Sequence, residues 1–423
     1  MQDLDLSKIK KVFFIGIGGI GISALAKMAI SRGMEVSGVN DEDTPKTLDS
    51  LREAGVKVIF QTEMQDLPEA DLYVYSDAWL YRGPEIIEKA KNTGKPVMNY
   101  FEALGCFAKE YKVIAIAGTH GKTTTTAMLA EILIDAGLDP TVVVGSFVKK
   151  FNSNFRMGKG EYLVVEADEY NRHFLNFNPF IAVVTNIEAD HLDCFKDLED
   201  VKSAFDKFIL QSKNIIKNYS EFLQKVPKLS VPGVHNRMNA AAALAVADFL
   251  SINQETAQKS LVGFTGTWRR LEKKGETKEG TIIYDDYAHH PTEIKASLEG
   301  LRELYPKDEK KITVLFQPHL YSRTKALFDD FAKSFKDADR VLLLPIYFAR
   351  EAKDESISSE KLAEAINLTP NPSPERRGGA QAFSSFELAE DYVRSLNLGP
   401  EDVFVTMGAG EAYKVADKIF KIV

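Results

Sequence analysis

Cysteine is scarce: only Cys106 and Cys194 occur in 423 residues, far apart and in no CxxC pair. A disulfide framework or a four-cysteine zinc site is thereby excluded, and a reducing compartment fits. Long apolar runs are missing too. None approaches the roughly 20 residues that span a bilayer, so no membrane partner is expected. The opening Met1-Gln-Asp-Leu-Asp-Leu-Ser7 is acidic and polar, without the basic and apolar stretches of a secretory signal, which predicts a cytoplasmic chain. Cations are not in excess either. A net charge of −8 disfavours non-specific nucleic-acid binding. What is present, 44% hydrophobic and 27% charged residues, is the balance of a folded globular protein. At roughly 100–200 residues per domain, the length predicts two to four domains.

The recurring pattern is strand, glycine turn, helix. Lys11-Val-Phe-Phe-Ile15 is an apolar run ending in Gly16 and followed by a helical stretch through Ala29, after which Met34-Glu-Val-Ser-Gly-Val39 reads as a second strand. Apolar runs separated by helix-length stretches predict βαβ units and a parallel sheet covered on both faces. The logic restarts at Tyr111-Lys-Val-Ile-Ala-Ile-Ala117, with a helix from Thr123 to Asp135 and further strands at 162–166 and 181–185. It restarts again through strands at 281–285, 312–316, 341–344 and 403–406. The fold class is therefore α/β, with three domains predicted at 1–107, 108–263 and 264–423. The stretch Thr369-Pro-Asn-Pro-Ser-Pro-Glu-Arg-Arg-Gly-Gly379 has no apolar face and reads as a mobile surface insertion.

Gly16-Ile-Gly18-Gly19-Ile-Gly21 fits GxGxxG between a strand and a helix. Glycine is needed where backbone turns tightly and approaches a diphosphate, with the helix N-terminus supplying N–H groups. Asp41, about twenty residues on, stands where a ribose-binding acid belongs. A nicotinamide or flavin cofactor, another nucleotide diphosphate, or a ligand-free packing turn all satisfy this much.

Gly118-Thr119-His120-Gly121-Lys122-Thr123-Thr124 follows a buried strand and opens a helix. Backbone N–H groups of such a loop cradle phosphates, a lysine reaches the β- and γ-phosphates, and a threonine hydroxyl ligates Mg²⁺. The full GxxxxGK[ST] pattern fails because Ile116 stands at its first glycine. A lysine at a helix start opposes the helix dipole and so needs a reason. Glu166-Ala-Asp168-Glu169 closes a later strand with three carboxylates, which repel one another and invite a cation; strand alternation puts Glu166 and Asp168 on one side and turns Glu169 away. His191, in Asp190-His-Leu-Asp193 beside Cys194, is an unusual Mg²⁺ ligand and reads equally as a structural hydrogen-bonder, or with Cys194 as a weak zinc candidate.

In this order the motifs resemble the Mur ligases, the ATP-dependent amide-forming family of peptidoglycan synthesis. Gly16 to Ala26 is similar to the opening of its alanine-adding members. His235-Asn236-Arg-Met-Asn239-Ala-Ala, Trp268-Arg269-Arg270-Leu-Glu, Asp285-Asp286-Tyr287-Ala-His289-His290-Pro291 and Gln317-Pro-His319-Leu320-Tyr-Ser-Arg323-Thr resemble further family motifs. The resemblance implies an N-terminal Rossmann-like UDP-binding domain, a central P-loop-type ATPase sheet and a C-terminal Rossmann-like ligase domain. It implies ATP and Mg²⁺ as cofactors, UDP-N-acetylmuramate and L-alanine as substrates, and a monomer or weak homodimer. By resemblance Lys122, Glu166, His191 and Arg323 are catalytic, and Thr123, Glu166 and His191 hold metal. Gly118, Thr119, His120, Gly121, Lys122, Thr123, Thr124, Asn236, Asn239, Arg270 and Asp286 contact nucleotide. Gly16, Gly18, Gly19, Gly21, Asp41, Ser76, His289 and Arg323 contact substrate, Arg323 being suited to pair bidentately with the alanine carboxylate. Asn236 and Asn239 would otherwise serve as N-caps of a helix at 240–250.

Three departures stand out. Leu320 occupies a position that is cationic or polar in many relatives, the stretch from Phe208 to His235 is short, and the Pro-rich insertion has no family counterpart. A sister ligase that attaches a recycled peptide, or a nucleotide-binding regulator that has lost turnover, fits the same framework less well, since the opening glycine motif and intact Lys122, Glu166, His191 and Arg323 weigh against them.

Overall fold

The structure, a computed structural model, describes residues 4–190, 194–348, 351–369 and 379–422. His191 and the 370–378 part of the Pro-rich insertion lie outside the described residues. Among the described residues, β1 (Lys11–Ile15), β2 (Glu35–Asn40), β3 (Lys57–Phe60), β4 (Leu72–Tyr75) and β5 (Val97–Asn99) form a parallel sheet in the order β3-β2-β1-β4-β5. Val12 to Ile15 are all buried, as a strand covered on both faces demands.

A second sheet contains β6 (Lys112–Ala117), β7 (Thr141–Val148), β8 (Ser153–Arg156), β9 (Tyr162–Glu166), β10 (Ile181–Val184) and β11 (Asn214–Ile216) in the order β11-β10-β6-β9-β7-β8. Only its edge pair, β7 with β8, is antiparallel. A third contains β12 (Glu272–Glu276), β13 (Ile282–Asp286), β14 (Lys311–Phe316), β15 (Arg340–Leu343), β16 (Ala380–Ala382) and β17 (Asp402–Met407) in the order β12-β13-β17-β14-β15-β16, with β12 antiparallel at its edge. In each sheet the strand order reverses beside a central strand. That switch point is where the strand ends splay and leave a crevice for ligands.

The chain divides into two compact units, Met1–Lys228 with Met238–Phe264, and Leu229–Arg237 with Thr265–Val423. The first unit holds the first two sheets and fastens them together with polar bonds. Asn154 of β8 is fully buried and donates Nδ2 to the Ile20 carbonyl at 2.5 Å and to Ser23 Oγ at 2.9 Å, while its Oδ1 accepts from Lys27 Nζ at 2.9 Å. The edge of the second sheet thus grips the helix Ile20–Ser31 that follows the first glycine turn. His173 Nε2 lies 2.9 Å from Asp77 Oδ2, and its ring stacks on Phe101 at 4.1 Å. The second unit carries the third sheet.

The helix Lys122–Asp135 is buried continuously from Thr123 to Leu133. Covered all round, it needs no polar face, and Glu131 is its exception. Burial pushes the Glu131 carboxyl up to about 7, with Asp135 adding and Lys150 opposing. Its folded pKa lies above its unfolded value near 4.5, so the stability linked to its proton is present below pH 4.5 and lost as pH rises to 7. Glu131→Gln is expected to melt higher than the parent chain at pH 8, by about 2 kcal/mol more than at pH 5. Thermal scans at the two pH values that give equal gains would contradict this.

Candidate active site

The first glycine turn sits at the carboxyl ends of β1, β2 and β4. Gly16 has φ +83, and a Cβ there would collide with the Trp79 ring. Gly18 is clasped from both sides: its N–H donates to Asn40 Oδ1 at 3.0 Å, and its carbonyl accepts from Thr47 Oγ1 at 2.6 Å. Gly19 caps the helix Ile20–Ser31, and Gly21 faces the Tyr100 ring, 2.9 Å from where a Cβ would stand. Ser76 closes β4 beside the turn, its N–H donating to the Ile15 carbonyl at 3.0 Å. Asp41 pairs with Arg82 at 2.6 Å.

The second glycine turn lies at the end of β6, between β9 and β10. Gly118 (φ +139) and Gly121 (φ +84) take backbone conformations that side chains resist. A Cβ on Gly121 would run into the Asn239 carboxamide, which places Asn239 against the loop. The loop is held by the segment after β10. Thr119 N–H donates to the Asn186 carbonyl at 3.1 Å, His120 N–H to Asn186 Oδ1 at 2.9 Å, and Thr185 Oγ1 to the His120 carbonyl at 2.6 Å. Thr119 Oγ1 also accepts from Glu188 N–H at 2.9 Å, and His120 Nε2 lies 3.4 Å from Glu188 Oε2. Thr124, the third residue of the helix Lys122–Asp135, is buried.

The acidic strand end meets this loop. Thr123 Oγ1 donates to Glu166 Oε1 at 3.0 Å, and Gly145 N–H to Glu166 Oε2 at 2.9 Å. Lys122 Nζ donates to the Gly118 and Thr119 carbonyls at 2.6 and 3.2 Å and to Glu169 Oε2 and Oε1 at 2.8 and 3.1 Å. Burial would lower the Lys122 pKa, but Glu169, Asp168 and Glu166 outweigh it and hold the ammonium above its ordinary range. Burial pushes Glu169 up to about 7, against Lys122 and helped by Asp168. Three carboxylates face one ammonium, so the same negative excess raises both. Such a site suits a divalent cation with hard oxygen donors.

In the second unit, His289, His319 and Arg323 come together. The His289 and His319 rings are 5.9 Å apart, and Arg323 Nη1 lies 3.3 Å from His319 Nδ1. His289 Nδ1 is 3.0 Å from the Tyr287 carbonyl, and His319 stacks on Tyr347 at 5.6 Å. His290 and Glu293 form a capping box with Pro291 at the first helical position, which fixes the entry to the helix Pro291–Leu304. Asp286 is buried, accepting from Leu271 N–H at 3.2 Å and from Ser297 Oγ, and burial pushes it up to about 6. Arg270 covers the Tyr287 ring at 5.0 Å and lies 4.0 Å from Glu293 Oε1.

Comparison with known proteins gives this geometry a context. Residues 11–112 match the model of the Mur ligase family catalytic domain, 116–226 the Mur ligase middle domain, and 269–410 the Mur ligase glutamate ligase domain. The chain belongs to the Mur ligase family. A UDP-N-acetylmuramate–L-alanine ligase of Acetivibrio thermocellus is 38% identical over 99% of this chain and 97% of its own length. One from Clostridium acetobutylicum is 38% identical over 98% of each. The solved UDP-N-acetylmuramate–alanine ligase of Thermotoga maritima superposes with TM-score 0.78 at 28% identity, covering 97% of this chain and 98% of that one. The three-sheet α/β architecture of this Mur ligase is thus shared with its relatives.

Two expectations need correction. Glu169 does not point away from the site. β9 ends at Glu166, so strand alternation no longer governs position 169, and its carboxylate turns onto Lys122. Nor are Asn236 and Asn239 N-caps. The helix runs Val234–Phe249, starting after Gly233 at φ +97, so both asparagines lie inside it, and Asn236 Nδ2 donates to the Pro232 carbonyl at 2.7 Å. Sequence reading also missed residues that hold the two turns in this Mur ligase: Asn40, Thr47, Trp79, Thr185 and Asn186. The signal for the last two was present, because polar residues directly after a fully apolar strand beside the loop strand have few other uses.

Proposed function

We propose that the chain joins L-alanine to the carboxylate of UDP-N-acetylmuramate with ATP, through an acyl phosphate, in the cytoplasmic synthesis of peptidoglycan precursor. The boundaries 1–107, 108–263 and 264–423 then correspond to sugar-nucleotide, ATP and amino-acid domains. The observation that carries this reading is the meeting of Lys122, Thr123 and Glu166 where β6 and β9 end, in a chain alike to alanine-adding ligases along nearly its whole length. A free carboxylate does not acylate an amine at neutral pH, because oxide is a very poor leaving group. Phosphorylation of the sugar-linked carboxylate, with departure of ADP, supplies a better one. The alanine amine then attacks the acyl carbon and phosphate leaves.

The protein positions the reactants and offsets charge. Gly118, Thr119, His120 and Gly121 offer backbone to the phosphates, and Lys122 offsets charge on the transferred group. Thr123 and Glu166, with His191, would hold Mg²⁺. The hard oxygens and the negative excess fit that ion, which when bound screens the phosphate oxygens. Gly16, Gly18, Gly19, Gly21, Ser76 and Asp41 serve the UDP end. Asn236, Asn239, Arg270 and Asp286 serve ATP, Asp286 by bracing the turn at Leu271 that carries Arg270. His289 and Arg323 serve alanine.

The decisive assay is phosphate release with ATP, Mg²⁺ and UDP-N-acetylmuramate against alanine, serine, glycine and a tripeptide. Release that depends on alanine supports the reading, and release only with the tripeptide refutes it. If Arg323 holds the amino-acid carboxylate, Arg323→Ala raises KM for alanine by about 10²-fold while KM for ATP changes little, because a bidentate charge-assisted pair is lost from one substrate alone. Equal effects on both KM values would remove that role.

A further inference from the structure

The geometry points to Glu169 as a positioning residue that holds the Lys122 ammonium against the loop carbonyls and that an incoming phosphate must displace. The inference rests on the reading of the second glycine turn as a phosphate loop and adds to it a built-in competitor for the same lysine.

An ammonium has three N–H donors. Those of Lys122 face four oxygens, the carbonyls of Gly118 and Thr119 and both carboxylate oxygens of Glu169. No donor is left over for a phosphate oxygen unless one acceptor withdraws. The two carbonyls belong to a turn pinned by Thr185, Asn186 and Glu188 and cannot withdraw without dismantling it. Glu169 can, by side-chain rotation alone. Its backbone stays put, since Asn171 and Arg172 follow in the left-handed region and Arg172 Nη2 is held by both Asp200 carboxylate oxygens at 2.8 and 2.9 Å. Glu169 and Lys122 are both deeply buried, at 3% and 13% side-chain exposure, so water does not mediate the exchange.

Two opposing effects decide the sign. Glu169 pre-orders the lysine, which favours binding, but its charge attracts the ammonium away from phosphate and repels the phosphate itself. In a buried site the charge term outweighs the ordering of one side chain. Glu169 therefore weakens nucleotide binding and, by returning to Lys122, eases release of the diphosphate product.

Calorimetry of Mg-ADP binding to the full chain tests this. Glu169→Gln keeps the size and one acceptor oxygen but removes the charge, and its Kd is expected to fall roughly tenfold below that of the parent chain. Glu169→Asp, which keeps the charge, is expected within about twofold of the parent. A Glu169→Gln affinity equal to or weaker than the parent overturns the proposal. A second measurement needs no variant: crystals of the unmodified chain with Mg-ADP are expected to show Lys122 Nζ on phosphate oxygen and parted from Glu169. An ion pair retained beside bound phosphate overturns the proposal. If the unmodified chain binds no Mg-ADP, the phosphate-loop reading falls and this inference with it.

Discussion

Replacing Lys122 by alanine is expected to lower kcat for phosphate release by about 10³-fold or more while leaving binding of the sugar nucleotide intact. Lys122 is the cation of the second glycine turn, placed at the end of β6 with its ammonium among loop carbonyls and acids. Transfer of a phosphoryl group develops charge on oxygens that the protein must meet with fixed positive groups. The loop N–H groups remain in the variant, so ATP binding weakens less than turnover. The first glycine turn is built from Asn40, Thr47 and Trp79, none of which touches Lys122, so UDP-sugar binding has no reason to change. A stopped assay for phosphate, with calorimetry of the sugar nucleotide beside it, reads both quantities. Turnover within tenfold of the parent would refute the role of Lys122.

The same substitution exposes a stability cost that helps to interpret it. Without Lys122, Glu169 stays buried with Asp168 and Glu166 nearby and takes up a proton instead of staying charged. Lys122→Met, which keeps most of the apolar stem, separates lost packing from lost charge. It is expected to be as inactive as the alanine variant.

Legibility in the sequence followed burial. β1, β6, β9, β10, β14 and β17 are apolar runs covered on both faces, and composition alone exposes such strands. β8 (Ser-Asn-Phe-Arg) and β12 (Glu-Lys-Lys-Gly-Glu) were not legible, because neither contains an apolar run: β12 is partly solvated, the burial of Asn154 in β8 rests on polar bonds to a distant helix, and both are strands by pairing with β7 and β13. The glycine turns were legible because φ near +83 at Gly16 and Gly121 admits little else. What holds those turns was legible only in part: Asn40 acts on a loop 22 residues away with nothing local to mark it, whereas Thr185 and Asn186 stand directly after a fully apolar strand. Glu169 was misread for a definable reason, since alternation was carried past the end of a strand. Arg323 and His289 stand out by motif resemblance alone. The structure adds His319 between them, a residue present in the motif but given no role by its spacing.

Arg269→Ala is expected to cost the second unit about 3–5 kcal/mol, a large share of the margin by which a domain stays folded. Arg269 is 4% exposed and each of its three guanidinium nitrogens donates a hydrogen bond. Nε donates to Asp285 Oδ2 at 2.9 Å, Nη1 to the Gly410 carbonyl at 3.1 Å and Nη2 to the Gly408 carbonyl at 2.6 Å. Its plane packs on Tyr413 at 4.4 Å and Tyr287 at 5.1 Å. One side chain thus ties the start of β12 to the ends of β13 and β17. Alanine would leave the Asp285 carboxyl, already raised by burial, with only the Thr406 hydroxyl at 2.7 Å, and would strand two buried carbonyls. Arg269→Lys should recover little, because a point ammonium cannot serve three acceptors in a planar fork. The backbone adds to the constraint: Arg269 and Leu271 sit at φ +57 and +45, conformations that persist only while the surroundings enforce them. Arg270, between them and with 27% of its side chain exposed, is the control, since Arg270→Ala should lower nucleotide affinity and leave unfolding nearly unchanged. Urea unfolding followed by the fluorescence of Trp268, which adjoins the Arg269 guanidinium, reports on this unit when Trp79 of the other unit is replaced by phenylalanine in both parent and variant. A loss below about 1 kcal/mol for Arg269→Ala would mean that the ion pair and its carbonyl bonds are replaced by water at little cost, and that something other than Arg269 holds the three strand ends together.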